Sequence, residues 1–416
     1  MYRKDRRCFT LVELLVVIAI SNVFTMARNG FAQPANDAQG QRAMTNSIQS
    51  LPIDEVLRNH RTSKHRTESP ISLIAPVVVR QDDPDGPRYQ EALGYTFLIE
   101  RAGFPGLAQM DDGKLVLTMR TGDGMRILFS EDEGMSWSRP RPIPIGRCSP
   151  VNLGGAKVML RGQTNNLVIS DDAGRTWSDP EPIPPLPGGA KYHTDLALNG
   201  LVEGDTVTFI FWTEDPEIVK REDWTYSFIR RYNVASHTWS DPQFFPEQWR
   251  GNEGAITRAK NGNLVAAFRW VMAGISRPSD HWNGQFTTVS KDDGKTWSEP
   301  SIHLAYGHVH QSLLPFPDGR ILMTYASRIG ELEGRTYHGI EAVMSHDHGE
   351  TWDWAHRYIL FRWSSGYMHG PQSVRLSDGR VLTAFMYHTD FPWANGDPDQ
   401  GPIRFMGHVS VVIWSP

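Results

Sequence analysis

The sequence predicts an all-β protein, a six-bladed β-propeller with four-stranded blades, on three observations. A phrase of the form Ser-x-Asp-x-Gly-x-Ser/Thr-Trp recurs four times, at residues 130–137, 170–177, 290–297 and 345–352. Residues 104–416 divide into six comparable stretches. The composition, with 37 Gly, 28 Pro and 11 % aromatic residues and almost no long amphipathic runs, is typical of many short strands joined by turns.

The repeated phrase has the chemistry of a hairpin turn. The Asp side chain can accept hydrogen bonds from backbone N–H groups of its own loop, and Gly supplies a positive φ. The Trp ring is expected to pack between neighbouring sheets, while the Ser/Thr hydroxyl closes the turn. Residues 232–239 keep only the end of the phrase and form a degenerate fifth copy. Four copies at long, fairly regular spacing indicate a repeat architecture.

Each of the six stretches predicts one blade. They open at Phe104, Cys148, Tyr192, Asn252, His308 and Tyr367. Most continue as an apolar strand, an Asp-Gly or Asn-Gly turn, a second apolar strand and a third strand that leads into the Trp phrase. The last stretch lacks its own phrase, so we expect the N-terminal strand region at residues 71–80 to complete its sheet and protect the open edge.

Residues 1–32 predict an export signal. Basic residues precede an apolar run at 9–20, which contains Glu13 and is too short for a comfortable membrane span. The run resembles the type IV prepilin leader, although Cys8 stands where that family has Gly, and residues 30–32 offer a site for ordinary signal peptidase. The sequence predicts a periplasmic, extracellular or cell-surface protein, with the N-terminal segment as a route to membrane attachment.

Residues 33–69 are polar and predict a disordered linker, so the folded propeller is expected to cover residues 70–416. A net charge of −5 gives no reason to expect nucleic-acid binding. With Cys8 in the leader, Cys148 is left alone, so no intramolecular disulfide is expected and a buried inert thiol is the predicted state. No closely spaced pair of ligands suggests a metal site, and no cofactor is predicted.

The propeller topology places the starts of the first strands and the ends of the second strands on one face, around the central channel. Four second strands contribute an arginine near this end, namely Arg120, Arg161, Arg269 and Arg328. Guanidinium groups bind carboxylates bidentately, so the cluster predicts an anionic ligand, the alternative being salt bridges between blades. The first strands add His193, His310 and His369, each of which could instead be a hydrogen-bonded structural residue.

The repeated phrase resembles the Asp boxes, or BNR repeats, of the sialidase (neuraminidase) superfamily, over about residues 70–416. Strand order places these boxes on the rim opposite the channel face, where they would be structural. The resemblance implies that Glu253 polarises a catalytic tyrosine and that Arg269 belongs to a triad that holds the sugar carboxylate. Arg335 lies where a further triad arginine is expected, and Arg328 is its rival.

The sequence departs from the family pattern at two places. The first blade reads Gly-Phe-Pro at residues 103–105 where sialidases have Arg-Ile-Pro, so Arg101 or Arg120 would have to replace the first triad arginine. The slot of the nucleophilic tyrosine, counted back from the Asp-Gly turn of the last blade, holds Gly370. Tyr367, three residues earlier, is the candidate nucleophile.

In the mechanism that the resemblance implies, Glu253 draws the proton from Tyr367 and the phenolate attacks the anomeric carbon. Asp123 would protonate the leaving group, the alternative being a plain turn aspartate. The prediction is an exported glycoside hydrolase of the exo-α-sialidase type, which releases a terminal acidic sugar from an acidic glycan. Two alternatives stay open. The histidines, with Tyr and Arg, would suit a lyase or another hydrolase of uronic-acid glycans, and a propeller could also bind glycans without turnover.

Overall fold

The computed structural model describes residues 71–74, 77–80, 89–91, 93–97, 102–121, 124–162, 165–193, 200–219, 225–246, 249, 251–270, 284–304, 308–332, 335–363, 368–388 and 407–416. The predicted leader at 1–32 and linker at 33–69 lie outside these residues, so both stay predictions. Within the described part of the chain, no helix is long and apolar enough to cross a membrane.

The described residues form twenty-eight β-strands. Before the first blade come β1 (Ile71–Ile74), β2 (Val77–Arg80), β3 (Tyr89–Glu91) and β4 (Leu93–Phe97). Blades one and two contain β5 (Gly103–Gln109), β6 (Leu115–Thr121), β7 (Gly124–Ser130), β8 (Arg141–Pro142), β9 (Cys148–Gly154), β10 (Lys157–Gly162), β11 (Asn166–Ser170) and β12 (Glu181–Pro182). Blades three and four contain β13 (Leu201–Glu203), β14 (Thr206–Thr213), β15 (Tyr226–Asn233), β16 (Thr238–Trp239), β17 (Gln243–Phe244), β18 (Gly251–Arg258), β19 (Leu264–Trp270), β20 (Gly284–Ser290) and β21 (Ser301–Leu304). Blades five and six contain β22 (His308–Pro315), β23 (Ile321–Leu332), β24 (Arg335–Ser345), β25 (Tyr358–Trp363), β26 (Met368–Arg375), β27 (Val381–His388) and β28 (Gly407–Trp414).

The six antiparallel sheets form a closed ring, which confirms the predicted six-bladed propeller. Within each sheet the consecutive strands of a blade pair in meander order from the first, innermost strand outward, except that both β16 and β17 pair with β15 in the third blade. The inner strands contact each other from blade to blade, with β5 against β9, β18 against β22, β22 against β26 and β26 against β5. In the third blade, β14 lies beside β18. Two short 3-10 turns, Pro187–Gly189 and Trp354–His356, accompany the strands.

The N-terminal strands complete two blades. β4 pairs with β28 as the fourth strand of the sixth blade, and β1 adds to the outer edge of β4. β2 pairs with β25 of the fifth blade and carries β3 on its other side. The fourth strand of the last blade is therefore β4, whereas residues 71–80 were expected to supply it; of these, 71–74 form an additional outer strand and 77–80 join the fifth blade. Both runs are short and apolar, so their composition indicates a strand without specifying its partner.

Each Asp box is closed by hydrogen bonds among its own residues. In the second box, Asp172 accepts from the backbone N–H and the hydroxyl of Thr176, at 2.8 and 2.7 Å. The Ser170 hydroxyl donates to Asp172 at 2.7 Å and accepts from the N–H of Gly174 at 2.8 Å. The same pattern recurs around Asp132, Asp292 and Asp347.

The boxes lie at the rim opposite the predicted site. Arg258 ends β18, the strand that carries Glu253 near its other end, and its Nη2 donates to Asp293 of the box at residues 290–297 at 2.7 Å. The Asp boxes therefore lie on the rim that strand order predicts.

Two constraints favour glycine at this position of each box: a positive φ and close packing against the preceding blade. Its φ lies between +79° and +91° in all four copies, Gly134, Gly174, Gly294 and Gly349. A Cβ on Gly349 would lie 2.6 Å from Val265 of the fourth blade, and one on Gly174 would lie 3.0 Å from the Phe129 ring of the first blade. The turn of one blade is thus packed directly on its neighbour.

Alanine substitution separates these two constraints. Gly262 has a φ of +91°, like the +90° of Gly349, but nothing lies within 4 Å of its Cβ position. We expect Gly262→Ala to lower the free energy of unfolding by about 1 kcal/mol through backbone strain, and Gly349→Ala by about 3 kcal/mol because a clash with Val265 adds to the strain. Chemical denaturation of both variants measures the difference. Equal losses would contradict interblade packing at this glycine.

The Asp boxes also predict a loss of stability in acid. The backbone N–H of Thr176, followed by its hydroxyl, lowers the pKa of Asp172 below the ordinary 3.8, and the hydroxyl and N–H of Thr296 lower the pKa of Asp292. Because these pKa values are lower in the folded chain, the stabilisation is complete above about pH 4 and is lost as the pH falls further. In thermal melts between about pH 6 and about pH 3, Tm should begin to fall once the pH is below about 4. It should fall less steeply in Asp172→Asn than in the wild type. A Tm that does not change over this range would contradict the assignment.

Candidate functional site

Four inner strands carry the same bulge at the channel end. In each, two residues of the first strand oppose one residue of the second, and the first of the two has a positive φ. These residues are Phe104, Glu253, His310 and Gly370, with φ values of 54°, 46°, 57° and 51°. Non-glycine residues seldom adopt this conformation, and such strain is concentrated at functional sites. Glu253 and His310 thus occupy equivalent positions on adjacent blades.

Glu253 is the centre of a buried charged cluster. Arg269 donates from Nη1 to Oε1 of Glu253 at 2.8 Å, and Nδ1 of His310 lies 3.3 Å from Oε2. The side chains of Glu253, Arg269 and His310 are 12 %, 11 % and 6 % exposed. Since charges removed from water need partners, each group fixes the position of the others.

Buried amides adjoin this cluster. Gln311, which follows His310 in the bulge, donates from Nε2 to Oε1 of Gln285 at 3.1 Å, and Gln285 is the register partner of Arg269. Both glutamines are fully buried. Neither glutamine was predicted as a site residue. The sequence signal that could have identified them is a glutamine inside a predicted strand, because a buried amide requires hydrogen-bond partners.

The predicted arginines occupy different registers. Arg120 and Arg269 both pair with the residue that precedes the bulge, and Arg120 is exposed whereas Arg269 is held by Glu253. In the fifth blade that register position is Ala326, and Arg328 lies two residues further along β23. Arg335 begins β24 at the same end of this hairpin.

Arg161 lies in the core between the second and third blades. It is 3 % exposed, and its guanidinium carbon is 4.9 Å from the centre of the Phe209 ring and 5.2 Å from that of Phe211. Its first strand, β9, has no bulge where Arg161 pairs with Ser149. A sugar could contact Arg161 only if this packing opened.

The sixth blade repeats the bulge without a tyrosine in it. Gly370 occupies the position equivalent to Glu253, in agreement with the count from the Asp-Gly turn, and His369 precedes it as the register partner of Met386. Tyr367 and Asp123, the predicted nucleophile and general acid, lie outside the described residues. Their roles stay predictions.

The third blade contributes an aromatic pair. The His193 ring stacks on Trp212 with 4.1 Å between centroids and an interplanar angle of 21°, and its Nε2 lies 3.3 Å from Oε1 of Glu214. The neighbouring Asp215 accepts from the N–H groups of Lys191 and Glu217, which lower its pKa and tie it to its loop. His193 and His310 therefore have separate partners.

The described side chains provide neither a cluster of metal ligands nor a reactive thiol. Within the described ranges, no group of three or more His, Cys, Asp or Glu side chains could hold a metal ion. Cys148 is buried, and burial raises the pKa of its thiol to about 12, so the reactive thiolate is not formed at neutral pH.

Comparison with solved structures identifies the fold. A protein of unknown function from Dyadobacter fermentans has a TM-score of 0.55 at 17 % identity, over 76 % of this chain and 95 % of its own. The Trypanosoma rangeli sialidase, in complex with 2,3-difluorosialic acid, has a TM-score of 0.51 at 12 % identity, over 82 % and 59 %. This chain has the fold of a sialidase-like propeller. The Ruminococcus gnavus intramolecular trans-sialidase, in complex with oseltamivir carboxylate, gives 0.51 at 12 % identity, over 75 % and 94 %.

These likenesses establish the fold. They confirm the predicted resemblance to sialidases for the propeller architecture. The chain spans about three fifths of the T. rangeli protein and nearly the whole of the other two. No family model matches the sequence, and no curated protein matches it.

A double-mutant cycle tests the buried pair. Arg269→Met leaves the Glu253 carboxylate without its 2.8 Å donor, so we expect a loss of about 3 kcal/mol in the free energy of unfolding. Adding Glu253→Gln to this variant removes the unpaired charge. The loss in the double variant should therefore be about 1–3 kcal/mol smaller than the sum of the two single losses.

The matched control is Arg258 with Glu203, a more exposed pair whose side chains are 28 % and 36 % exposed, at the opposite end of β18. The cycle of Arg258→Met and Glu203→Gln should give a coupling below about 1 kcal/mol. Additive losses at Glu253 and Arg269 would contradict the cluster.

Proposed function

We propose that this protein is a glycoside hydrolase of the exo-α-sialidase type, which releases a terminal acidic sugar from a glycan. The observation that carries the proposal is the buried pair of Glu253 and Arg269 at the bulge of the fourth blade. The sialidase resemblance puts at these positions the carboxylate that polarises the nucleophile and an arginine that holds the sugar carboxylate. Two of the similar structures are a sialidase and a trans-sialidase.

The local chemistry agrees with an anionic substrate. A planar guanidinium matches a carboxylate in a bidentate arrangement, and the contact with Glu253 holds Arg269 in place before the substrate arrives. Arg120 occupies the same register in the first blade and is exposed, so it is available as a second cation. Arg328 and Arg335, in the β23–β24 hairpin, are the further candidates.

In the proposed reaction, Glu253 takes the phenolic proton of Tyr367 and the phenolate attacks the anomeric carbon. The bond to the leaving oxygen breaks as Asp123 donates a proton to it, and water then releases the sugar from the tyrosine. A neutral nucleophile avoids the repulsion that the substrate carboxylate would exert on a carboxylate nucleophile. The leader at residues 1–32 would carry the enzyme out of the cytoplasm to such glycans.

One observation favours a second candidate function. His310 lies 3.3 Å from the Glu253 carboxylate, while the equivalent position in the sixth blade is Gly370 in place of a tyrosine. A histidine oriented by a buried carboxylate is suited to act as a general base. In a lyase of uronic-acid glycans, His310 would remove the C5 proton while an arginine neutralises the uronate.

Product analysis separates these functions. The purified protein is incubated with sialosides and with uronic-acid polysaccharides, and the products are separated by chromatography. The proposal predicts free sialic acid. A new ultraviolet absorbance from an unsaturated uronate would replace it with the lyase, and glycan binding without either product would replace it with a non-catalytic propeller.

Site variants then test the residues. Glu253→Gln and Arg269→Ala should each lower kcat/KM by a factor of about a hundred or more, because proton transfer or carboxylate binding is lost. Arg258→Ala, on the same strand as Glu253 but at the opposite rim, should keep wild-type turnover. Wild-type kinetics in either site variant would remove that residue from the proposed mechanism.

A further inference from the structure

The stack of His193 on Trp212 lies beside the strand that carries Glu253. Trp212 pairs in register with Ser227, whose hydroxyl donates to the carbonyl of Gly251 at 2.6 Å. Gly251 begins β18 and is two residues before Glu253. The stack and the Glu253 bulge are therefore at the same level of the propeller, on adjacent blades.

The side chain of Trp212 points toward the fourth blade. Residues two apart on a strand share a face, so Trp212 follows the direction of Ile210 on β14. A Cβ on Gly254, the residue after Glu253, would lie 2.8 Å from Cγ2 of Ile210. Ile210 thus contacts the bulge from the third blade, and Trp212 continues the same face toward the channel end.

The stack has the chemistry of a sugar-binding platform. His193 is 47 % exposed, so a flat ring supported by the indole is available to the apolar face of a sugar. Glu214, 54 % exposed at the edge of that ring, can accept hydrogen bonds from sugar hydroxyls. Aromatic surface with a few well-placed polar groups is typical of small-molecule sites. The Glu214 carboxylate would repel a second acidic sugar, so a neutral sugar is favoured over an acidic one.

A second histidine–glutamate pair is held in the fold by a third side chain. His237 contacts Glu181 at 2.9 Å at the end of the degenerate fifth phrase, and the Tyr232 hydroxyl bonds to both, at 2.9 and 2.8 Å. The pair of His193 and Glu214 has the Trp212 ring beneath it instead. Glu181 and His237 therefore offer matched controls remote from the channel end.

We propose that His193, Trp212 and Glu214 form a subsite for a neutral hexose, the sugar to which the terminal acidic residue is attached. The place of this hexose in the substrate rests on the proposed function. The affinity of the stack for a neutral sugar does not, so the two can fail separately.

A titration with lactose, a neutral disaccharide, tests the subsite without turnover. The indole signal of Trp212 is identified by its loss from the NMR spectrum of Trp212→Phe, and in the wild type it should shift saturably with lactose. Isothermal titration calorimetry, which does not depend on the indole, should show lactose binding weakened about tenfold in His193→Ala and Trp212→Ala, and about threefold in Glu214→Gln. Glu181→Gln and His237→Asn should bind lactose as the wild type does, and melting curves check that every variant is folded. No saturable shift in the wild type, or unchanged binding in His193→Ala and Trp212→Ala, would overturn the subsite.

Kinetics test its place in the substrate. The acidic sugar is supplied either as its methyl glycoside or linked to lactose. In His193→Ala, KM should rise about tenfold for the lactose-linked substrate and stay unchanged for the methyl glycoside. If His193→Ala kept the wild-type KM for the lactose-linked substrate, the assignment of the neutral hexose of the substrate to this subsite would be overturned. Absence of turnover with both substrates would remove the proposed hydrolase, while the lactose titration would still decide the subsite.

Discussion

The packing of each Asp box on the preceding blade is the contact on which the ring depends. The turn needs a positive φ at its glycine, and the neighbouring blade leaves no room for a Cβ there, as Val265 shows for Gly349. One short phrase therefore sets both the local turn and the distance between blades. The Asp side chain closes the turn from within, so the same geometry recurs wherever the phrase occurs. With the rim fixed in this way, the opposite ends of the inner strands are held around the channel.

At the channel end, the inner strands depart from regular strand geometry. Four inner strands bulge there, and the bulge residue carries a different side chain in each blade: Phe104, Glu253, His310 and Gly370. The backbone distortion is the same in these blades although the side chains differ. The residue at the bulge can therefore vary, and with it the chemistry of the site, without a change of fold. The carboxylate of Glu253 links two of these positions, since Arg269 and His310 contact its two oxygens. The stack of His193 on Trp212 extends the same end to the third blade.

Much of this architecture could be predicted from the sequence because its causes are local. The Asp boxes are closed by side chains within a few residues, and the fixed length from bulge to Asp-Gly turn placed Gly370 correctly. The partners of β1 and β2 were not predictable, because their apolar patterns are alike and pairing is decided by the distant blades. Arg161 has the same place in its sequence stretch as Arg269, yet β9 lacks the bulge and the guanidinium packs on Phe209. The pair of Gln285 and Gln311 depends on contacts across blades.

The central claim is that Arg269, positioned by Glu253, recognises the carboxylate of an acidic sugar. Isothermal titration calorimetry with sialic acid and with glucuronic acid tests this most directly, because it requires neither turnover nor the residues outside the described ranges. The account predicts that one of these sugars binds the wild type and binds Arg269→Lys about tenfold more weakly, since an ammonium group cannot form the bidentate pair. Equal affinity of Arg269→Lys and the wild type, or binding of neither sugar, would contradict it.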